Sequence, residues 1–289
     1  MSAGPVSGFS FVRNALKYGY PVAAALRSIA PLVEELVVAV GDSEDGTLEL
    51  IRGLGIPQLR IIETVWDESL RRGGLILSQQ TNVALARCRH PWAFYIQADE
   101  AVHENDYDRI RAALERWQDD SSVDALRFRF LHFEGTYAYV NYVRYRKQNR
   151  IIRNNGRVAS VGDGAGFGTI DGRALRARHT GAKIYHYGWA RAPEVLRTKT
   201  LAFQKLYHDD GYVARHYEDV PAEYLSDVDI AFRYRGTHPA VMRELIGQTS
   251  WEIPRERRPP LDTPLLNPRF YLAWLRKWRV LPRVPPRKP

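Results

Sequence analysis

The first hundred residues alternate short β-branched runs with stretches of helical periodicity, and few architectures accept that order. Phe9-Ser10-Phe11-Val12 is a short apolar run. Pro21 suits the opening of a helix, and Val22, Ala25, Leu26 and Ile29 follow it at helical spacing. Leu36-Val37-Val38-Ala39-Val40 reads as a buried parallel strand that stops at Gly41-Asp42. Thr47 to Gly53 predicts a helix, Leu59-Arg60-Ile61-Ile62 a third strand, Leu77 to Cys88 a further helix, and Ala93-Phe94-Tyr95-Ile96 a fourth strand. Strands that alternate with helices in this way predict an α/β layer fold built on a mainly parallel sheet.

Beyond residue 120 the pattern changes. Leu126, Phe128 and Phe130 alternate with Arg127 and Arg129, as in a strand with one wet face. Asn154-Asn155-Gly156 predicts a turn, Ala182 to Tyr187 a strand, and Pro193 to His208 a helix. Tyr137 to Arg157 carries six Lys or Arg, and no acid lies between Glu134 and Asp163. That stretch is either a docking surface for an anionic acceptor or a solvated basic strand pair.

Charge separates the body from the tail. Residues 255–289 hold ten Lys or Arg against two Asp or Glu, a surplus of eight in a chain whose net charge is +9, and eight of its 17 prolines. The body is close to neutral, so the basic balance gives no argument for nucleic-acid binding. Within the tail, Phe270 to Arg279 mixes aromatic and basic residues on a predicted short helix. Such a helix suits an anionic membrane surface or docks its tryptophans back onto the body. No run of about 18 apolar residues is present, and Met1 to Gly8 lacks the pattern of a secretion leader. A cytoplasmic protein, with possible peripheral contact to the inner face of a membrane, is the expectation. The single cysteine, Cys88, permits no intrachain disulfide or cysteine zinc site and predicts a buried thiol on a helix.

In open α/β sheets ligands bind beyond the carboxyl ends of the strands. Arg13-Asn14 follows the first strand, Gly41 to Thr47 the second, Glu63 to Asp67 with Trp66 the third, and Gln97-Ala98-Asp99-Glu100 the fourth. Three of these ends are acidic, which suits a site that handles a cation or offers acceptors to a nucleotide. A carboxylate such as Asp99 in that place can hold Mg2+ or Mn2+, or it can cap a helix that follows.

The order Phe11-Val12-Arg13-Asn14, Val40-Gly41-Asp42-Ser43-Glu44-Asp45-Gly46-Thr47 and Tyr95-Ile96-Gln97-Ala98-Asp99-Glu100 resembles the family 2 glycosyltransferases of the GT-A fold. The second segment is similar to that family's D-x-S-x-D-G-T stretch, the third to its D-x-D region. The resemblance covers residues 9–105 and extends more loosely to Tyr185-His186-Tyr187-Gly188-Trp189. It implies a Rossmann-like nucleotide-diphospho-sugar transferase fold and inverting hexosyl transfer to a glycan or lipid-linked acceptor, as in surface-polysaccharide synthesis. It further implies that Asp42 bonds the nucleobase and Asp45 orders its loop or touches the nucleotide. Asp99 would coordinate the metal on the donor diphosphate, with His186 completing the metal site. Arg13, Asn14, Gln97 and Ala98 would share the nucleotide-sugar surface. Gln97 stands where the family has the first aspartate of D-x-D, one carboxylate fewer for the metal.

Inversion by direct displacement needs a general base. Asp163, within the glycine-rich Val161 to Gly168, is the candidate, and shaping a turn is its other reading. The expected division is a GT-A domain over residues 1–250, with a nucleotide-sugar half to about 120 and an acceptor half from 121, followed by the Pro-rich extension 251–289. A nucleotidyltransferase would open with a glycine-rich phosphate loop, which Phe11 to Ala15 does not provide. No Gly-x-Ser-x-Gly elbow, Walker loop or Gly-x-Gly-x-x-Gly follows a strand. A degenerate nucleotide-binding relative remains open because of Gln97.

Overall fold

The computed structural model describes residues 4–254 and 268–277. Four strands from the first hundred residues form its parallel half: β1 (Val6–Val12), β2 (Glu35–Val40), β3 (Leu59–Glu63) and β4 (Trp92–Tyr95), in the spatial order β3-β2-β1-β4. The reason for the unbroken apolar run in β2 is visible in its neighbours. Leu36, Val38 and Val40 face the cluster that contains Val22, Ala25, Leu26 and Ile29 of α1 (Val22–Ile29). Val37 and Ala39 face the opposite cluster, with Phe9, Tyr95 and Leu85. A strand covered on both faces has no wet positions to alternate with. Burial of one such aliphatic side chain contributes about 1.5–3 kcal/mol.

Between the strands run α2 (Thr47–Arg52) and α3 (Leu75–Leu85). The helix expected over 77–88 thus begins two residues earlier and ends at Leu85. Arg87 and Cys88 tighten the exit through hydrogen bonds to the carbonyls of Ala84 and Leu85. Cys88 therefore lies beyond the helix and is half-buried, and burial pushes its thiol up to about 12.

Past β4 the chain turns at Ala98-Asp99 into a short strand, β5 (Glu100–Val102), and α4 starts only at Tyr107 (Tyr107–Trp117). The helix-capping reading of Asp99 is therefore not met: the segment after it is extended. The sheet continues through β6 (Ala125–Gly135), β7 (Tyr139–Val140) and β8 (Lys147–Arg153). β9 (Val158–Val161) and β10 (Gly166–Thr169) form a separate hairpin, and β11 (Ala177–Ala190) runs beside β6. β8 joins β4 to β6 antiparallel, so one sheet passes through both halves of the chain. Its edge is β12 (Phe232–Arg233) on β7. Most of the paired residues lie in parallel ladders. In β6, Leu126, Phe128 and Phe130 are buried while Arg127 and Arg129 point outward, the alternation the sequence predicts.

α5 (Pro193–Gln204) follows β11 and ends four residues short of the expected His208. In the tail the described residues form a helix, Pro268–Lys277, whose start docks on the body. Arg269 pairs with Asp229, and the Phe270 ring meets Phe232 edge-on at 5.8 Å. Tyr271, Leu272 and Trp274 are exposed. The rest of the Pro-rich extension, residues 255–267 and 278–289 with Trp278 and Arg279, lies outside the described residues. Among the described residues no helix is long and apolar enough to cross a membrane.

Candidate active site

The carboxyl ends of β1 and β4 open on a cavity of about 870 Å3. Arg13, Asn14, Gln97, Ala98 and Asp99 line it from the parallel half, His186 and Lys199 from β11 and α5, and Asp163 from the β9–β10 hairpin. Residues separated by up to 186 positions are brought to one place because β5 and β11 pair with His186 opposite Glu100.

The acidic loop after β2 is held by its own polar groups. Asn14 takes a left-handed backbone conformation (φ 54°), its amide oxygen accepting from the Glu44 N–H at 2.8 Å. Asp45 accepts from the Lys17 N–H at 2.7 Å and from the Thr47 hydroxyl at 2.6 Å, so its carboxylate ties this loop to the one after β1. Asp42 lies exposed at the rim, paired with Arg13 at 3.1 Å. Arg13 also reaches Glu68 at 3.0 Å and stacks over Trp66. Neither Asp42 nor Asp45 lines the cavity itself. The Trp66 indole N–H has no hydrogen-bond partner among the described residues.

At the end of β4 two consecutive carboxylates part ways. Glu100 turns into the interior and forms a bidentate pair with Arg150 at 2.7 and 2.8 Å, both side chains fully buried. The guanidinium is sandwiched by Tyr95 and Phe130 and donates a further hydrogen bond to the Gln97 amide oxygen at 3.4 Å. Asp99 turns to the cavity. Its Oδ1 stands 3.7 Å from His186 Nε2, while its Oδ2 is 3.5 Å from Lys199 Nζ and 3.8 Å from Arg191 Nη2. Burial alone would raise the Asp99 carboxyl, but the facing His186, Lys199 and Arg191 hold it well below the usual carboxylate range. Burial, with Arg191 adding to it, pushes the Lys199 ammonium down to about 7 against the pull of Asp99.

His132 Nε2 donates to the Tyr145 carbonyl at 2.7 Å, and its Nδ1 stands 3.2 Å from His186 Nδ1, toward which the Gly188 N–H also points at 3.4 Å. Burial pushes His186 down to about 3. Its Nε2 faces Asp99 Oδ1 at 3.7 Å, and an imidazole nitrogen and a carboxylate oxygen so placed suit a cation between them. Among the described residues no group of three His, Cys, Asp or Glu converges on a metal position. Asp99 and His186 fit a divalent ion whose other ligands come from phosphate oxygens and water. Gly188 makes this approach possible, since a Cβ there would stand 2.3 Å from His186 Cε1 and 2.9 Å from Asp99 Oδ2.

Asp163 sits across the cavity between Gly162 and Gly164, both of positive φ. A side chain at Gly164 would press on the Leu77 backbone at 3.0 Å, so the hairpin packs directly on the start of α3. The Tyr207 hydroxyl donates to Asp163 Oδ2 at 3.3 Å and the Ala165 N–H to Oδ1 at 3.1 Å.

Sequence reasoning missed Lys199 and Arg191. The signal for Lys199 is its place on the buried stripe of α5, with Leu196 and Thr200 at helical spacing, where a lysine has no packing reason to be. The basic stretch 137–157 turns half inward: Arg144 pairs with Glu134 at 2.8 Å, Arg150 with Glu100, and Arg153 bonds the carbonyls of Trp117, Asp120 and Val123 over the Trp92 ring. Those three arginines serve the interior, against both a wholly solvated strand pair and a wholly acceptor-facing one.

No family model and no curated protein matches the chain. Among solved structures it aligns with TarS of S. aureus at 15% identity and a TM-score of 0.43, covering 69% of this chain and 39% of that one. The Pyrobaculum calidifontis mannosyltransferase PcManGT, in complex with GDP-Man and Mn2+, aligns at 21% identity and TM-score 0.33 over 43% of this chain and 34% of that one. Glucosyl-3-phosphoglycerate synthase of Mycobacterium tuberculosis, in complex with Mn2+, UDP and its product, aligns at 14% identity and TM-score 0.37 over 72% and 82%. The chain thus spans well under half the length of the first two.

Proposed function

We propose that this chain transfers a sugar from a nucleoside diphosphate donor to an acceptor hydroxyl, inverting the anomeric centre. The observation that carries the reading is the convergence of the strand ends, the Asp99–His186 pair and Asp163 on one cavity. In this reading the diphosphate lies over Asp99 and the nucleobase toward Asp42 and the Trp66 ring, which lines the cavity. A divalent cation, Mg2+ or Mn2+, would be held by Asp99 and His186 and would supply Lewis-acid stabilisation to the departing diphosphate.

Asp163 accepts the proton of the acceptor hydroxyl as that oxygen attacks the anomeric carbon and the bond to the diphosphate breaks. The hydrogen bonds from Tyr207 and Ala165 fix the orientation of its carboxylate for that transfer. The acceptor, a glycan or lipid-linked sugar, enters from the side of the β9–β10 hairpin. General-base catalysis of this kind is worth about 10²–10⁴-fold, so Asp163→Asn lowers kcat by that range and leaves donor affinity unchanged.

Calorimetric titration of UDP, GDP and a nucleoside monophosphate, each with Mn2+, tests the donor site. One diphosphate binds the parent protein, and Asp99→Ala loses the part of that affinity that Mn2+ supplies. Failure of the parent to bind either diphosphate sinks the reading.

A further inference from the structure

We propose that Lys199 is a diphosphate-binding residue, a cation built into the chain that lets nucleoside diphosphate binding outlast removal of the divalent metal. The inference rests on the donor site proposed above and assigns a residue to its diphosphate.

The argument begins with charge. Asp99 faces two buried basic side chains, Lys199 at 3.5 Å and Arg191 at 3.8 Å. The neighbouring arginines have their own carboxylates: Arg150 has Glu100, and Arg144 has Glu134 and Asp227. One carboxylate at the floor of the cavity is therefore shared by two basic groups. A buried basic group with a shared partner gains from a further acceptor, and the cavity is where one can enter.

Hydrogen bonding gives the same answer. The Lys199 ammonium has three hydrogens. One goes to the Gly188 carbonyl at 2.7 Å, and the contact with Asp99 Oδ2 at 3.5 Å is long. A third has no acceptor among the described residues. Arg191 is anchored through the carbonyls of Tyr18, Gly19, Tyr187 and Gly188, yet its Nη2 has no hydrogen-bond partner. The buried Thr200 hydroxyl, on the residue next to Lys199, has none either. The spare ammonium hydrogen of Lys199, which lines the cavity, suits an oxygen acceptor such as a phosphate presents. The rings of Tyr20 and Trp189 lie 5.4 and 5.2 Å from the ammonium and fix its direction.

Asp99 divides its two oxygens accordingly. Oδ1 is on the His186 side, where a metal fits, and Oδ2 is on the Lys199 and Arg191 side. Metal and lysine can then act on one diphosphate without competing for one oxygen.

The test is calorimetric titration of UDP and GDP in EDTA and in Mn2+ on the parent protein, Lys199→Gln and Lys199→Arg. Melting curves confirm that each variant folds. The parent keeps measurable affinity for one diphosphate in EDTA, Lys199→Gln weakens it at least tenfold there, and Lys199→Arg restores most of it. Parent binding that vanishes in EDTA overturns the proposal without any variant and leaves the donor site standing if Mn2+ restores it. Lys199→Gln that binds in EDTA as the parent does overturns the assignment to Lys199. Absence of binding in both conditions overturns the donor site and this inference together.

Discussion

The interior side of the β4 end and its cavity side hold neighbouring carboxylates in opposite conditions. Glu100 is sealed, with both oxygens on one guanidinium and no solvent. Asp99, one residue earlier, has three basic side chains within 4 Å, and among the described residues its side chain is hydrogen-bonded only through a 3.5 Å contact with Lys199. A pair that satisfies itself leaves nothing for a ligand. A carboxylate in loose contact with several cations leaves a group of donors and acceptors that a ligand can complete. The difference separates a residue that supports the cavity wall from one the proposed reaction would use.

Breaking the sealed pair gives the largest effect. Arg150→Met leaves Glu100 buried without a partner, and stability falls by about 3–5 kcal/mol. Asp99→Asn falls by about 1 kcal/mol, because cavity water re-solvates what it exposes. Thermal and urea unfolding of both variants checks this. Equal losses would abolish the distinction.

Gly188→Ala sharpens the same comparison from the cavity side. The added methyl displaces the His186 ring and Asp99 while leaving Glu100 and Arg150 in place. Overpacking costs about 1–3 kcal/mol, whereas misplacing the site lowers turnover by roughly 100-fold. Sugar-transfer rates set beside melting temperatures separate the two.

The smallest effect comes from a buried carboxylate whose two arginine partners lie at the surface. Hydrogen bonds from Arg173, with the Arg176 N–H and side chain, outweigh burial and hold Asp124 down to about 2. The folded-state value lies below the unfolded one of about 3.9. Its stabilisation is therefore complete above that value and disappears as pH falls through about 2. Both arginines are half-exposed, so solvent screens the pair. Asp124→Asn costs about 1 kcal/mol at pH 7, and that cost shrinks as pH falls below about 3.9 and vanishes only below about 2, measured by urea unfolding across that range.

Much of the parallel half was legible in the sequence, because a strand buried on both faces leaves an apolar run that ends abruptly at Gly41 or Gln97. Asp99 and His186 could be picked out as strand-end and strand residues. Their cationic neighbours could not: Lys199 and Arg191 reach Asp99 only through the pairing of β5 with β11, a long-range event that no local period records. The same holds for Gln97. Its amide oxygen takes a hydrogen from Arg150, whose charge Glu100 already matches. That contact, with an arginine 53 residues away, is likewise absent from any local pattern.

One sheet runs unbroken from the parallel strands β1–β4 into β8 and β6, joined where Trp92, Ala93 and Phe94 pair with Arg153, Ile152 and Ile151. A chimera that exchanges one half for a foreign sequence must therefore reproduce this seam residue by residue. Recombination breakpoints belong in the loops on either side of it, and a library cut at position 120 without regard to the seam would yield misassembled sheets rather than new specificities.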